Sequence, residues 1–134
     1  FFVGERAQRQ RSLVAEVAAA GHGIGNHSWS HPQRSWWRIG AVGAEEQLRR
    51  TQDLLGELSG RAPQWFRSPT GMSNPWVHAA AQRLGLRLMG WSARGFDALP
   101  GRSLAQVRAK LELQLERSGR EGAIVLMHEG IAGR

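Results

Sequence analysis

Short apolar runs and longer stretches with apolar residues at helical spacing follow one another along the chain, an order that predicts parallel strands joined by helical crossovers. Phe1 to Val3 is expected to be the first strand. Gln8 to Ala20 follows as a helix with Leu13, Val14, Val17 and Ala18 on one face and Gly21 as its cap. Gly23 to Asn26 predicts a second strand that delivers His27. The Trp36-Trp37 region has the character of a loop or partial helix. From Ala44 to Leu58 the spacing of Leu48, Leu55 and Leu58 predicts an amphipathic helix stopped by Ser59-Gly60, and Gln64 to Phe66 a third strand ending at Arg67.

Asn74-Pro75 marks a helix start, because Asn caps free amides and proline is tolerated at the first helical position. That helix is expected to reach Leu84-Gly85. Leu86 to Trp91 predicts a fourth strand, followed by a loop with Arg94 and Asp97. Ser103 with Gln106 matches a capping box for a helix to Arg117 striped by Val107, Leu111 and Leu115. Gly122 to Met127 is a continuous apolar run, as in a strand buried on both faces, and His128 follows it. In parallel α/β folds ligands bind at the carboxyl ends of the strands. His27, Arg67, Asp97 and His128 each stand at or just after such an end, so they are expected to share one rim.

Within Gly25-Asn26-His27-Ser28-Trp29-Ser30-His31-Pro32, two imidazoles lie four residues apart. That spacing is a common way for one segment to give two nitrogens to a metal. Pro32 disfavours helix at His31, so the segment reads as a turn of loop at a strand end. Solvent-facing or structural histidines are the competing reading.

Composition adds limits. The 134 residues are expected to form one domain, 1–134, short of the roughly 250 of a complete α/β barrel. The chain opens on an apolar run without an initiator methionine, so the first strand of such a barrel is expected to lie outside it. With no cysteine, a metal would be held by nitrogen and oxygen alone. No stretch approaches the roughly 18 to 20 apolar residues that span a bilayer. The net charge of +7 comes mostly from scattered arginines interleaved with acids, which reads as a solvated surface and argues against a nucleic-acid partner. Six tryptophans without a tyrosine are enough to fill a core and still line a groove for sugar rings.

The sequence resembles the polysaccharide deacetylase family (NodB homology domain, carbohydrate esterase family 4) over nearly its whole length. Phe1-Phe2-Val3-Gly4-Glu5-Arg6 is similar to the family's second strand, and Gly21 through Pro32 to its His-[Ser/Thr]-x-x-His metal motif. Phe66-Arg67-Ser68-Pro69-Thr70-Gly71 resembles the Arg-x-Pro-x-Gly motif, with Thr70 where an aromatic residue is frequent. Gly90-Trp91-Ser92 through Asp97 resembles a fourth motif and Leu126-Met127-His128 the Leu-x-His motif. The family's Thr-Phe-Asp-Asp-Gly motif, source of the general base and of a metal-binding carboxylate, has no counterpart here.

The resemblance implies a partial, distorted (β/α) barrel of parallel strands, incomplete at its start, and metal-dependent removal of acetyl groups, mainly N-acetyl, from a glycan. Chitin-like oligomers, peptidoglycan and hemicellulose all remain open as substrates, and an extracytoplasmic or cell-envelope location is implied. It assigns His27 and His31 to a divalent metal, with zinc favoured and cobalt or nickel as alternatives. His128 would protonate the leaving amine, and Arg67 would pair with Asp97 and orient a catalytic carboxylate. Leu126, Trp91 and Pro69 would line the substrate groove. The other reading is an inactive remnant that serves as a carbohydrate-binding or scaffold module.

Overall fold

Three parallel strands, β1 (Gly25–Asn26), β2 (Trp65–Phe66) and β3 (Arg87–Leu88), pair in that order. Gly25 stands beside Trp65 and Asn26 beside Phe66, while Trp65 and Phe66 face Arg87 and Leu88. Phe2 bridges Asn26 in parallel, so the expected first strand is a single residue of pairing. The computed structural model describes residues 1–119 and 121–128. The chain divides into two compact units, Phe1–Met89 and Gly90–Arg134.

In the first unit the helix expected over Gln8 to Ala20 is two helices, α1 (Gly4–Arg9) and α2 (Arg11–Ala19). They break at Gln10, whose φ of −130° and ψ of 50° leave helical space. Burial of Ala7 on α1 and Val14 on α2 against one core continues the apolar spacing across the break, which hides it from periodicity. Carbonyls of the loop after β1 hold the start of α1: Gly4 N–H donates to Ser28 at 2.9 Å and Glu5 N–H to Trp29 at 3.0 Å. Gly4 is needed there, since any Cβ would strike the Trp29 ring.

Helix α3 (Ala41–Ser59) is longer than expected and ends at Gly60, whose φ of 73° makes a left-handed cap. It serves two cores at once. Ala44 and Leu48 pack with Trp36, Phe66, Val77, Ala80, Ala81 and Leu86, while Leu54 and Leu55 pack with Ala7, Val14, Ile24 and Trp29. Trp36–Arg38 forms a 3-10 turn. Helix α4 (Pro75–Arg83) starts as the sequence indicates, with the Asn74 side chain accepting from Val77 N–H at 3.0 Å.

In the second unit β4 (Ala93–Arg94) pairs in parallel with β5 (Val125–Leu126). Helix α5 (Leu104–Ser118) carries the expected capping box at Ser103. Gln114 on α5 does for Arg94 what a neighbouring strand would: it accepts from Arg94 N–H at 3.0 Å and donates to Arg94 C=O at 2.9 Å. Two expectations are corrected here. The run from Leu86 to Trp91 is strand only at Arg87–Leu88, and the supposed loop contains β4, because the apolar run crosses from Met89, where the first unit ends, to Gly90, where the second begins. The run from Gly122 to Met127 is strand only at Val125–Leu126, with Val125 40% and Met127 56% exposed, since β5 has one strand neighbour among the described residues. Among those residues no helix is long and apolar enough to cross a membrane.

Leu55, fully buried on α3, is expected to cost about 2 to 5 kcal/mol on truncation to alanine. Ser103→Ala, which opens the capping box, should cost about 1 kcal/mol. Urea unfolding of the two variants checks both the sizes and their order.

Candidate active site

Asn26, the last residue of β1, is fully buried and spends its whole side chain on the turn that follows and the helix behind it. Its Nδ2 donates to Leu48 C=O at 2.9 Å and to Gln52 Oε1 at 3.2 Å, and its Oδ1 accepts from Ser28 N–H at 3.0 Å. Ser28 and His31 take positive φ, 63° and 51°, rare for residues with a Cβ. The Ser28 hydroxyl accepts from His31 N–H at 3.2 Å, and Gln47 Oε1 from Trp29 N–H at 3.0 Å and Ser30 N–H at 2.9 Å. The turn thereby brings the His27 and His31 rings to a centroid distance of 4.7 Å at 64°. No helix is involved.

His27 Nδ1 lies 2.6 Å from Arg67 C=O. A carbonyl only accepts, so Nδ1 carries the hydrogen and Nε2 keeps its lone pair. Burial, joined by the positive charges of His31, the chain amino group and Arg67, outweighs that hydrogen bond and lowers the His27 pKa to about 4. The imidazole is therefore neutral at pH 7, the form that binds metal.

Arg67 leaves the tip of β2 and is 8% exposed. Its Nε donates to Met89 C=O at 3.4 Å, and its guanidinium lies 4.2 Å from the Phe1 ring centre. Ser68 accepts from Trp36 Nε1–H at 2.7 Å and donates to Met72 C=O, which ties the loop after β1 to the loop after β2. Pro69 is buried at the start of a 3-10 turn, where Thr70 takes a φ of 58°.

In the second unit Asp97 is 4% exposed and faces His128. Its Oδ2 accepts from His128 N–H at 2.6 Å and its Oδ1 from His128 Nδ1–H at 3.1 Å. Burial opposes ionisation, but these two bonds and the imidazole's charge outweigh it, and the carboxyl is held below its ordinary pKa. The carboxylate that the resemblance pairs with Arg67 thus engages His128. Trp91 and Leu126 are half-buried, with the Arg94 guanidinium 5.8 Å from the Trp91 ring.

The structure thus joins His27, His31 and Arg67 at the tips of β1 and β2, and separately joins Asp97 to His128. Sequence reasoning missed Gln47, Gln52 and Ser68, which position the turn and loop. Gln52 was detectable as a polar residue on the apolar face of a helix.

Donor chemistry fits a divalent ion in part. His27 supplies a neutral nitrogen with its tautomer set by a carbonyl, as is usual behind metal-bound imidazoles, and the His31 ring stands beside it on the same turn. Catalytic zinc generally takes three protein ligands. Among the described residues, no group of three or more His, Cys, Asp or Glu side chains could hold a metal.

Parallel strands with helical crossovers, and a His-x3-His turn at a strand tip, define the class. Residues 1–89 match the family described as polysaccharide deacetylase. The chain belongs to that family. A chitooligosaccharide deacetylase of Bradyrhizobium is 30% identical over 133 residues, 97% of this chain and 57% of the relative. A family 4 carbohydrate esterase from Streptomyces lividans, in complex with acetate, superposes with a TM-score of 0.82 at 26% identity, covering 98% of this chain and 65% of that one. A family 4 acetyl xylan esterase from Clostridium thermocellum, in complex with a cobalt ion, shares the fold with a TM-score of 0.80 at 23% identity, covering 98% of this chain and 60% of that one. The chain therefore spans less than two thirds of each of these relatives.

With metal removed, a proton NMR titration should find His27 neutral down to a pKa of about 4. Because the folded value lies below the ordinary 6.5, the stability it contributes is complete above pH 6.5 and is lost as pH falls from 6.5 through 4, on the order of 3 kcal/mol in all. A His27 titration midpoint near 6.5 contradicts this. Asn26→Asp sets an oxygen against Leu48 C=O and Gln52 Oε1, and is expected to destabilise by about 2 to 4 kcal/mol in urea unfolding.

Proposed function

We propose that the chain carries the metal-binding imidazoles and the acid of a deacetylase acting on N-acetylated glycans. The observation that carries this reading is the neutral His27, its Nδ1–H fixed by Arg67 C=O so that Nε2 keeps its lone pair, beside the His31 ring. His27 and His31 would hold a divalent ion, with zinc favoured and cobalt an alternative. Such an ion supplies Lewis acidity, lowering the pKa of a bound water and polarising the acetyl oxygen.

The remaining work falls to this chain's own side chains. His128 would give the proton at its Nε2 to the departing sugar amine, while Asp97 fixes its Nδ1–H and the orientation of the ring. Arg67, cationic and held at the β2 tip, would orient the catalytic carboxylate; the chain itself contains Asp53 and Asp97 but no adjacent aspartates. Leu126 and Trp91 would face the acetyl methyl, and Pro69 would set the backbone of the groove wall. The relatives' names favour an N-acetylglucosamine oligomer over O-acetylated xylan.

Incubated with N-acetylglucosamine oligomers and zinc or cobalt, the protein is expected to release acetate, and chelation should stop it. His128→Ala should lower kcat by about 10²-fold or more, and His27→Ala should weaken metal binding about 10- to 100-fold. One observation favours a second reading as a glycan-binding module, namely that the described residues offer two metal ligands and no third. It is upheld, and the first reading fails, should metal-loaded protein bind the oligomers without releasing acetate and bind them equally well after chelation.

A further inference from the structure

Helix α5 grips the segment that leads to the buried Asp97 carboxylate at two consecutive residues. Gln114 accepts from Arg94 N–H at 3.0 Å and donates to Arg94 C=O at 2.9 Å, so one side-chain amide pins both backbone polar groups of the last residue of β4. Gly95, next in the chain, lies flat against the same helix. A Cβ added there would stand 2.5 Å from the Val107 side chain and 3.2 Å from that of Leu111.

Phe96 is the reason such a grip is needed. Its φ of 57° puts a bulky residue in left-handed backbone space, at a cost of about 1 to 3 kcal/mol that persists only where the neighbours over-determine it. On one side stand the α5 grip on Arg94 and Gly95 and the Arg94 guanidinium, 4.3 Å from the Phe96 ring centre. On the other, Leu99 N–H donates to Phe96 C=O at 3.1 Å, and Asp97 accepts from both the N–H and the Nδ1–H of His128. The strained residue thus links α5 to the Asp97 and His128 pair.

Strand pairing by itself sets that pair weakly. β4 and β5 are two residues each, with Arg94 level with Leu126, and β4 has one strand neighbour among the described residues. Ala93 N–H spends itself on that neighbour, donating to Ile124 C=O at 3.2 Å, whereas the polar groups of Arg94 go to Gln114. Without Gln114 they pass to water, and the end of β4 is free to shift against β5. A displacement of about 1 Å between groups that act together can cost on the order of 10²-fold in rate.

We propose that Gln114 is a positioning residue for the acid: through Arg94, Gly95 and Phe96 it aims Asp97 at His128, and so fixes the orientation of the imidazole that serves the leaving amine. The role of His128 rests on the proposed function. The alignment of Asp97 on His128 does not.

Three variants test this. Gln114→Met keeps the length of the side chain and removes its hydrogen bonds, Gln114→Glu keeps an acceptor for Arg94 N–H, and Ser103→Ala weakens the same helix at its opposite end. Two quantities are read: the His128 Nδ1–H proton resonance of the metal-free protein, and kcat and KM for acetate release from N-acetylglucosamine oligomers with zinc. In Gln114→Met the resonance is expected to be lost to exchange with water, and kcat to fall roughly tenfold at unchanged KM. Gln114→Glu should recover part of both, and Ser103→Ala should keep both as in the unaltered protein despite its lower stability. A resonance that Gln114→Met leaves in place overturns the proposal, as does an equal loss in Ser103→Ala, the outcome for a helix that merely holds its unit together. Sensitivity of the resonance to residue 114 in a protein that releases no acetate sinks the deacetylase reading alone, and acetate release indifferent to residue 114 sinks the positioning role alone.

Discussion

One buried amide governs the geometry of the first unit. Asn26 sits where β1 ends, and it can satisfy its side chain only by joining three parts of the chain: the turn at Ser28, the Leu48 carbonyl and Gln52 on α3. A buried amide left unpaired is costly, so the turn and the helix are locked in register with the strand tip. The two left-handed residues of that turn, Ser28 and His31, each carry strain of about 1 to 3 kcal/mol that the Asn26, Ser28 and Gln47 bonds offset. Strain held in this way is what pre-sets the two imidazoles before any ligand arrives.

The two imidazoles stand in different surroundings. His27 is kept neutral by burial among positive charges, which leaves protons as weak competitors for its nitrogen. His128, with its side chain 44% exposed, has its Nδ1 held by the buried Asp97 carboxylate. The fold supplies a carbonyl to one imidazole and a carboxylate to the other.

Tryptophan is divided just as sharply. Trp36 is fully buried and bonds to Ser68, Trp29 packs over Gly4 beneath the Arg50 guanidinium, and Trp37 and Trp76 stay exposed. The pair Trp36-Trp37 shows why composition alone could not sort them. Adjacent residues on a 3-10 turn point to different sides, so one closes the core under the loop while its neighbour faces water.

The sequence by itself determined the alternation of parallel strands and helices, the caps at Asn74 and Ser103, and the placement of His27, Arg67, Asp97 and His128 near strand ends, because these follow from local periodicity and from short-range hydrogen bonding. Tertiary structure decided the break at Gln10, the strand at Ala93–Arg94 and the exposure of Val125 and Met127, since each depends on which neighbour a segment meets and not on its own residues. It also decided that Asp97 faces His128 and that Gln47 and Gln52 shape the His27 turn. Those contacts join residues far apart in sequence, and a buried hydrogen bond leaves no mark on periodicity.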